Sequence, residues 1–244
     1  MFHFTPLPQL NLGFWQISTH GLLIAGGFLI ALIFAAREAK RRGLDPEIIE
    51  GAAAIGAISG LIGARIVYII FWGGGMSVWE MFRIWEGGLS SHGGYIFGIG
   101  AALIYFKIKK VDILAYLDAA APYLLLGWAI GRVGCFLNWD SYGKISQSFF
   151  TVTVWGERRY PTQLFESFGY LVGFIVCRVV SRLTKIDSAK GGLAAFGLGL
   201  FAATRFAVDF FRDDPYPYFL FSQILTLAIV IASILFILKQ SGKK

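Results

Sequence analysis

Residues Gly131 to Gly143 read Gly-Arg-Val-Gly-Cys-Phe-Leu-Asn-Trp-Asp-Ser-Tyr-Gly. The stretch closes a long apolar run, Ile113 to Ile130, and opens the one sizeable polar stretch, Asn138 to Tyr160. An apolar run of that length reads as a membrane span. Arg132 then sits at depth, where a guanidinium near the bilayer centre costs about 2.5–3.5 kcal/mol on insertion scales. A charge so placed requires an anionic partner.

The rest of the chain agrees with a membrane setting. Of its 244 residues, 56% are hydrophobic, above the roughly 45–50% of soluble domains. Apolar runs predict seven transmembrane helices, at about 17–36, 48–72, 92–108, 113–137, 161–183, 191–212 and 217–238. The expected fold class is therefore an all-α integral membrane protein, one domain over residues 1–244. Small excursions are expected at about 71–91 and 138–160. The first holds Gly73-Gly74-Gly75 and three tryptophans, Trp72, Trp79 and Trp85, and suggests a short interfacial helix from Ser77 to Trp85. The second holds Phe149 to Trp155, which predicts a short strand or hairpin.

Charge sets the orientation. One side carries Arg37, Lys40, Arg41 and Arg42, then Lys107, Lys109 and Lys110. The same side carries Arg178, Arg182, Lys185 and Lys190, and finally Lys239, Lys243 and Lys244. The other side carries only Arg83, Lys144, Arg158, Arg159 and Arg212. The excess places the C-terminus in the cytoplasm and the N-terminus outside. Basic residues that flank apolar runs form no single patch, so the net charge of +7 does not point to nucleic acid. No Lys or Arg precedes Arg37, and the first apolar run is too long for the core of a signal peptide, so the N-terminus does not resemble a cleaved one. Cys135 and Cys177 have neither metal-ligand spacing nor a CxxC partner. No metal or cofactor is expected.

Arg65, Arg132 and Arg205 fall inside expected spans. Arg205 and Asp209 are spaced to pair on one helix face. Arg65 reads equally as a snorkelling side chain or a functional one. The three arginines outnumber the nearby embedded carboxylates. A guanidinium presents a planar fork of donors that suits phosphate, and a phospholipid headgroup is the natural anion here. His92, in Ser90-Ser91-His92-Gly93-Gly94, reads either as a residue at a helix start or as a proton carrier near neutral pH. Asn138 and Asp140 suit headgroup hydroxyls or an arginine, and Asp140 is a candidate to neutralise Arg132. Cys135 reads as a small buried side chain, with an activated thiol as the sharper alternative. Gln163 and Glu166 open the fifth span, where Glu166 suits the helix dipole or an arginine.

These motifs resemble those of the bacterial prolipoprotein diacylglyceryl transferases. The family signature, Gly-Arg-x-Gly-Asn-Phe-x-Asn-x-Glu-x-x-Gly, is similar to Gly131 to Gly143. His92-Gly93-Gly94 resembles its His-Gly-Gly, and Tyr160 to Glu166 its Pro-Ser-Gln-Leu-Tyr-Glu region. Arg205 to Arg212 resembles Arg-Phe-x-x-Glu-x-x-Arg, and Gly63-Ala64-Arg65 matches a further pattern. The resemblance implies a multi-pass protein of the bacterial inner membrane with seven spans and an active site open outward. It implies transfer of the diacylglyceryl group of phosphatidylglycerol to a lipobox cysteine of preprolipoproteins. A thioether forms and glycerol 1-phosphate leaves. His92, Arg132 and Arg205 take the catalytic positions. Asn138, Asp140, Gly143, Gln163, Glu166, Asp209, Arg65, His20 and Cys135 take substrate-binding ones.

Four positions depart from the family pattern. Cys135 stands for Asn, Asp140 and Asp209 for Glu, and His20 for a Tyr beside Gly. A non-catalytic phospholipid-binding relative, or a transferase with another acceptor, is the alternative that these departures keep open.

Overall fold

Each long apolar run folds as a helix, because a backbone out of water must satisfy its own donors and acceptors. The computed structural model describes residues 3–13, 15–74, 76–83, 87–183 and 190–241. Its helices are α1 (Thr19–Arg41), α2 (Pro46–Trp72), α3 (Val78–Phe82), α4 (Ser91–Ile108), α5 (Ile113–Asn138), α6 (Thr162–Leu183), α7 (Gly192–Asp209) and α8 (Tyr218–Ser241). Six of these, α1, α2, α5, α6, α7 and α8, are long and apolar enough to cross a membrane. Their outward faces carry large apolar side chains such as Ile58, Ile70 and Leu235, as an integral membrane protein requires. The expected third span appears as α4, which is 18 residues long. The expected sixth span, 191–212, ends as helix at Asp209, so Arg212 lies beyond it.

Local chemistry marks the boundaries. Asp45 caps α2 by accepting from the Glu47 backbone N–H at 3.0 Å, with Pro46 at the first helical position. Ser77 and Glu80 form a reciprocal capping box that starts α3. The interfacial helix expected from Ser77 to Trp85 is thus a five-residue helix. Gly75, Trp85, Lys185, Lys243 and Lys244 lie outside the described residues.

Among the described residues, two hairpins accompany the helices. β3 (Val152–Val154) pairs antiparallel with β4 (Glu157–Arg159), within the excursion where a hairpin is expected. β1 (Gln9–Leu12) pairs with β2 (Trp15–Ser18), a hairpin with no counterpart in the sequence reading.

The chain divides into two compact units, Met1–Ala35 with Leu117–Lys244, and Ala36–Tyr116. In the first, α1 and α5 touch backbone to backbone. A Cβ on Gly27 would lie 2.6 Å from the Gly127 carbonyl oxygen, and one on Gly127 would lie 2.8 Å from that of Gly27. Larger residues there would push the helices apart. A second core joins Leu125, Ala129, Tyr170, Cys177 and Leu193. Cys177 is fully buried and free, a small apolar filler. In the other unit, α2 packs along α4.

Candidate functional site

The signature stretch changes shape where its apolar run ends. α5 stops at Asn138, and the chain then turns through two left-handed residues, Trp139 (φ 55°) and Ser141 (φ 57°). Such non-glycine positions are uncommon and strained. Packing holds the first of them. Trp139 is buried against Phe136, Val152 and Val154, with Phe4 stacked on Phe136. Gly143 closes the turn. Its N–H donates to the Tyr160 carbonyl at 2.9 Å, and a Cβ there would lie 2.6 Å from the Phe211 carbonyl oxygen.

Glu166, on the first turns of α6, is 1% exposed and sits among three guanidinium groups. Its Oε2 lies 2.5 Å from Arg132 Nε. Its Oε1 accepts from Arg205 Nη1 at 2.8 Å and lies 3.5 Å from Arg212 Nη1. Arg205 Nε also pairs with Asp209 Oδ1 at 2.9 Å, as the i,i+4 spacing predicts. Asp209 is fully buried, and its Oδ2 accepts from Ser222 Oγ on α8 at 2.5 Å. Arg212 makes a bidentate pair with Asp214 at 2.7 and 3.1 Å. The expected surplus of arginine is therefore absent from this cluster. Arg132, Arg205 and Arg212 meet Glu166, Asp209 and Asp214. Sequence reasoning overlooked Asp214 because it lies beyond the helix, on a turn that only folding returns to the site.

Arg132 is the least satisfied member. Nη1 donates to Cys135 Sγ at 3.2 Å. Nε pairs with Glu166 Oε2, and Nη2 is buried with no acceptor among the described residues. Buried guanidinium donors left unmatched are costly, and an oxyanion would satisfy them.

Electrostatics stabilise the charged forms outside the helices. Burial works against the Arg212 cation, but Asp214 and Glu166 raise its pKa and keep it charged. Burial alone would raise the Asp214 carboxyl, and the hydrogen bond and charge of Arg212, with Arg205 and Arg132, hold it below its usual value.

The other predicted residues divide in two groups. Asp140 does not neutralise Arg132; Glu166 does. Asp140 Oδ2 instead accepts from Asn138 Nδ2 at 2.9 Å and lies 3.5 Å from His20 Nδ1. Gln163 is fully buried and donates to the Asp140 carbonyl at 2.5 Å, which fixes the turn. His20, Cys135 and Asp140 converge, each offering a ligand atom within 4.8 Å of the others. Their spacing along the chain matches no metal motif, so only folding brings them together.

Arg65 and His92 belong to the second unit. Arg65 is buried, and its donors go to backbone carbonyls. Nε donates to Met81 at 2.9 Å, Nη1 to Gly87 and Gly88 at 2.7 and 2.9 Å, and Nη2 to Glu80. Its guanidinium also lies over the Tyr68 ring. Arg65 therefore ties α3, Gly87 and Gly88 to α2. His92 is exposed on the first turn of α4, where Ser90 holds the N-cap position.

A family model described as prolipoprotein diacylglyceryl transferase matches residues 9–239. A relative from Streptococcus pyogenes serotype M3, named phosphatidylglycerol–prolipoprotein diacylglyceryl transferase, is 32% identical, covering 96% of this chain and 95% of its own. A relative of the same name from serotype M5 is 31% identical over the same shares.

Proposed function

The chain belongs to the prolipoprotein diacylglyceryl transferase family, and on that premise we propose that it is a phosphatidylglycerol–prolipoprotein diacylglyceryl transferase. It moves the diacylglyceryl group of phosphatidylglycerol to the lipobox cysteine thiol of a preprolipoprotein. The sulfur bonds to the glyceryl carbon, the bond from that carbon to the phosphate oxygen breaks, and glycerol 1-phosphate leaves. This is the first step of lipoprotein maturation, placed at the bacterial inner membrane in a multi-pass chain. We read α4 as a seventh span, with the N-terminus outside, because the basic residues gather on one side. The whole of 1–244 is read as a single transferase domain.

One observation carries the assignment. Arg132, 12% exposed, pairs with Glu166 and keeps one buried nitrogen, Nη2, unmatched, inside a cluster that also holds Arg205. A phosphate diester supplies the acceptors that this fork lacks, and Arg205 is the second donor. As the carbon–oxygen bond breaks, charge grows on the phosphate. Donors fixed in advance for that charge lower the barrier. Glu166 and Asp209 position the guanidiniums. Asn138, Gln163 and Gly143 shape the turn that faces the headgroup. His92 takes the thiol proton, an assignment that follows the family resemblance.

The test uses purified full-length protein with phosphatidylglycerol vesicles and a lipobox peptide. The expected products are a peptide heavier by one diacylglyceryl group and an equal amount of glycerol phosphate. If lipid binds and neither product forms, the chain is a lipid-binding relative and the transferase reading fails.

A further inference from the structure

Three of the four departures from the family pattern meet at one point. His20 starts α1, Cys135 lies on the last turn of α5, and Asp140 follows on the strained turn. Each offers one ligand atom, and these atoms lie within 4.8 Å of one another. Tyr, Asn and Glu at these positions would offer one good ligand; His, Cys and Asp offer three. Imidazole nitrogen, thiolate sulfur and carboxylate oxygen are the donors zinc prefers.

We propose that His20, Cys135 and Asp140 bind a zinc ion whose open position takes the acceptor thiol. With bonds of about 2.0–2.3 Å in a tetrahedron, zinc needs ligand atoms roughly 3.5 Å apart. His20 Nδ1 and Asp140 Oδ2 already stand at 3.5 Å, and that nitrogen is buried without a hydrogen-bond partner among the described residues. The remaining closure is within reach of side-chain rotation. Neighbouring groups fit the ion. Asn138 Nδ2 holds Asp140 Oδ2 at 2.9 Å, and Arg132 Nη1 reaches Cys135 Sγ at 3.2 Å. Such outer contacts orient metal ligands. Two anionic ligands cancel the zinc charge, so Arg132 faces a neutral centre.

Three protein ligands leave a fourth position open, as in catalytic zinc sites. A thiol that enters it is deprotonated by coordination. This step rests on the transferase reading. The lipobox thiol would bind as thiolate, its proton passing to the phosphate oxygen that leaves. Its sulfur then forms the bond to the glyceryl carbon. The electron pair of the broken carbon–oxygen bond leaves on the phosphate that Arg132 and Arg205 hold. No electrons are gained or lost overall, and zinc returns to its open state.

The full chain in detergent, stripped with a chelator, is titrated with Zn²⁺ and separately with Co²⁺. The expected result is one ion per chain, with a thiolate-to-cobalt absorption band. His20→Tyr and Cys135→Asn introduce the residues of the family pattern and so keep the fold. Each should weaken Zn²⁺ at least about tenfold, and Cys135→Asn should erase the band. A lipobox peptide should intensify the band in the absence of lipid, and a peptide with Ser for its Cys should not. Sub-stoichiometric metal, a band that survives Cys135→Asn, or a band indifferent to the peptide thiol each overturns the site. Full transfer by metal-free protein overturns its role while leaving the transferase reading intact. A peptide-responsive band in a protein that transfers nothing sinks the transferase reading and leaves the metal site standing.

Discussion

Arg65, buried, and Arg132, nearly so, both lie in apolar helices, and they have opposite surroundings. Arg65 meets carbonyl oxygens of Glu80, Met81, Gly87 and Gly88, which are fixed parts of its own fold. Arg132 meets one carboxylate and one sulfur, with its third nitrogen, Nη2, unmatched. A satisfied guanidinium is structure. An unsatisfied one is a place prepared for something else, because buried donors without acceptors are otherwise selected against by their cost. Burial alone does not separate the two cases; the list of acceptors does.

Substitution offers ways to break that contrast. The largest effect is expected at Arg132. Arg132→Ala should lower transfer by about 10²–10³ or more, the usual loss for one donor to developing charge. Arg132→Lys should recover little, since a point charge lacks the planar fork. Substantial transfer by either variant, measured as lipidated peptide, would remove Arg132 from the site.

Glu166→Gln comes next. It leaves guanidiniums without their shared carboxylate, and breaking a buried ion pair costs about 3–5 kcal/mol. Thermal unfolding in detergent should shift down and transfer should fall. An unchanged melting temperature would mean that Glu166 is not the hub of the cluster. Arg65→Ala should also lower the melting temperature, but through release of α3 and of Gly87 and Gly88. Increased proteolysis near α3 should accompany it, with phosphatidylglycerol binding retained. Loss of lipid binding without loss of stability would give Arg65 a substrate-binding role.

The smallest effect is expected at Asp214, whose carboxyl is held below its ordinary value. A group with a depressed folded pKa contributes its stability above the unfolded value and loses it as pH falls through the folded one. The Arg212–Asp214 pair should therefore add stability at neutral pH and fade only below the usual carboxylate range, near pH 4. Asp214→Asn should flatten that acid limb in melting temperature against pH. An acid limb identical to the parent would show the pair adds nothing.

Much of the molecule was legible in its residues. Apolar runs are local, and in hydrocarbon they have one solution, so the long helices fell within a few residues of their expected places. The i,i+4 pairing of Arg205 with Asp209 is a helical spacing and was equally readable. The β1–β2 hairpin was not, because its alternation is short and abuts the first apolar run. Nor was the end of α7 at Asp209, which moves Arg212 off the helix and onto Asp214.

The sequence by itself determined the membrane setting, the family, and the identity of the charges carried at depth. Only the tertiary structure decided which anion each arginine meets. It assigned Glu166 to Arg132, carbonyl oxygens to Arg65, and His20 to the neighbourhood of Cys135 and Asp140. The reason is physical. Helix formation follows contacts a few residues apart, whereas the partner of a buried charge is whatever group, however distant along the chain, packing delivers within about 3 Å of it.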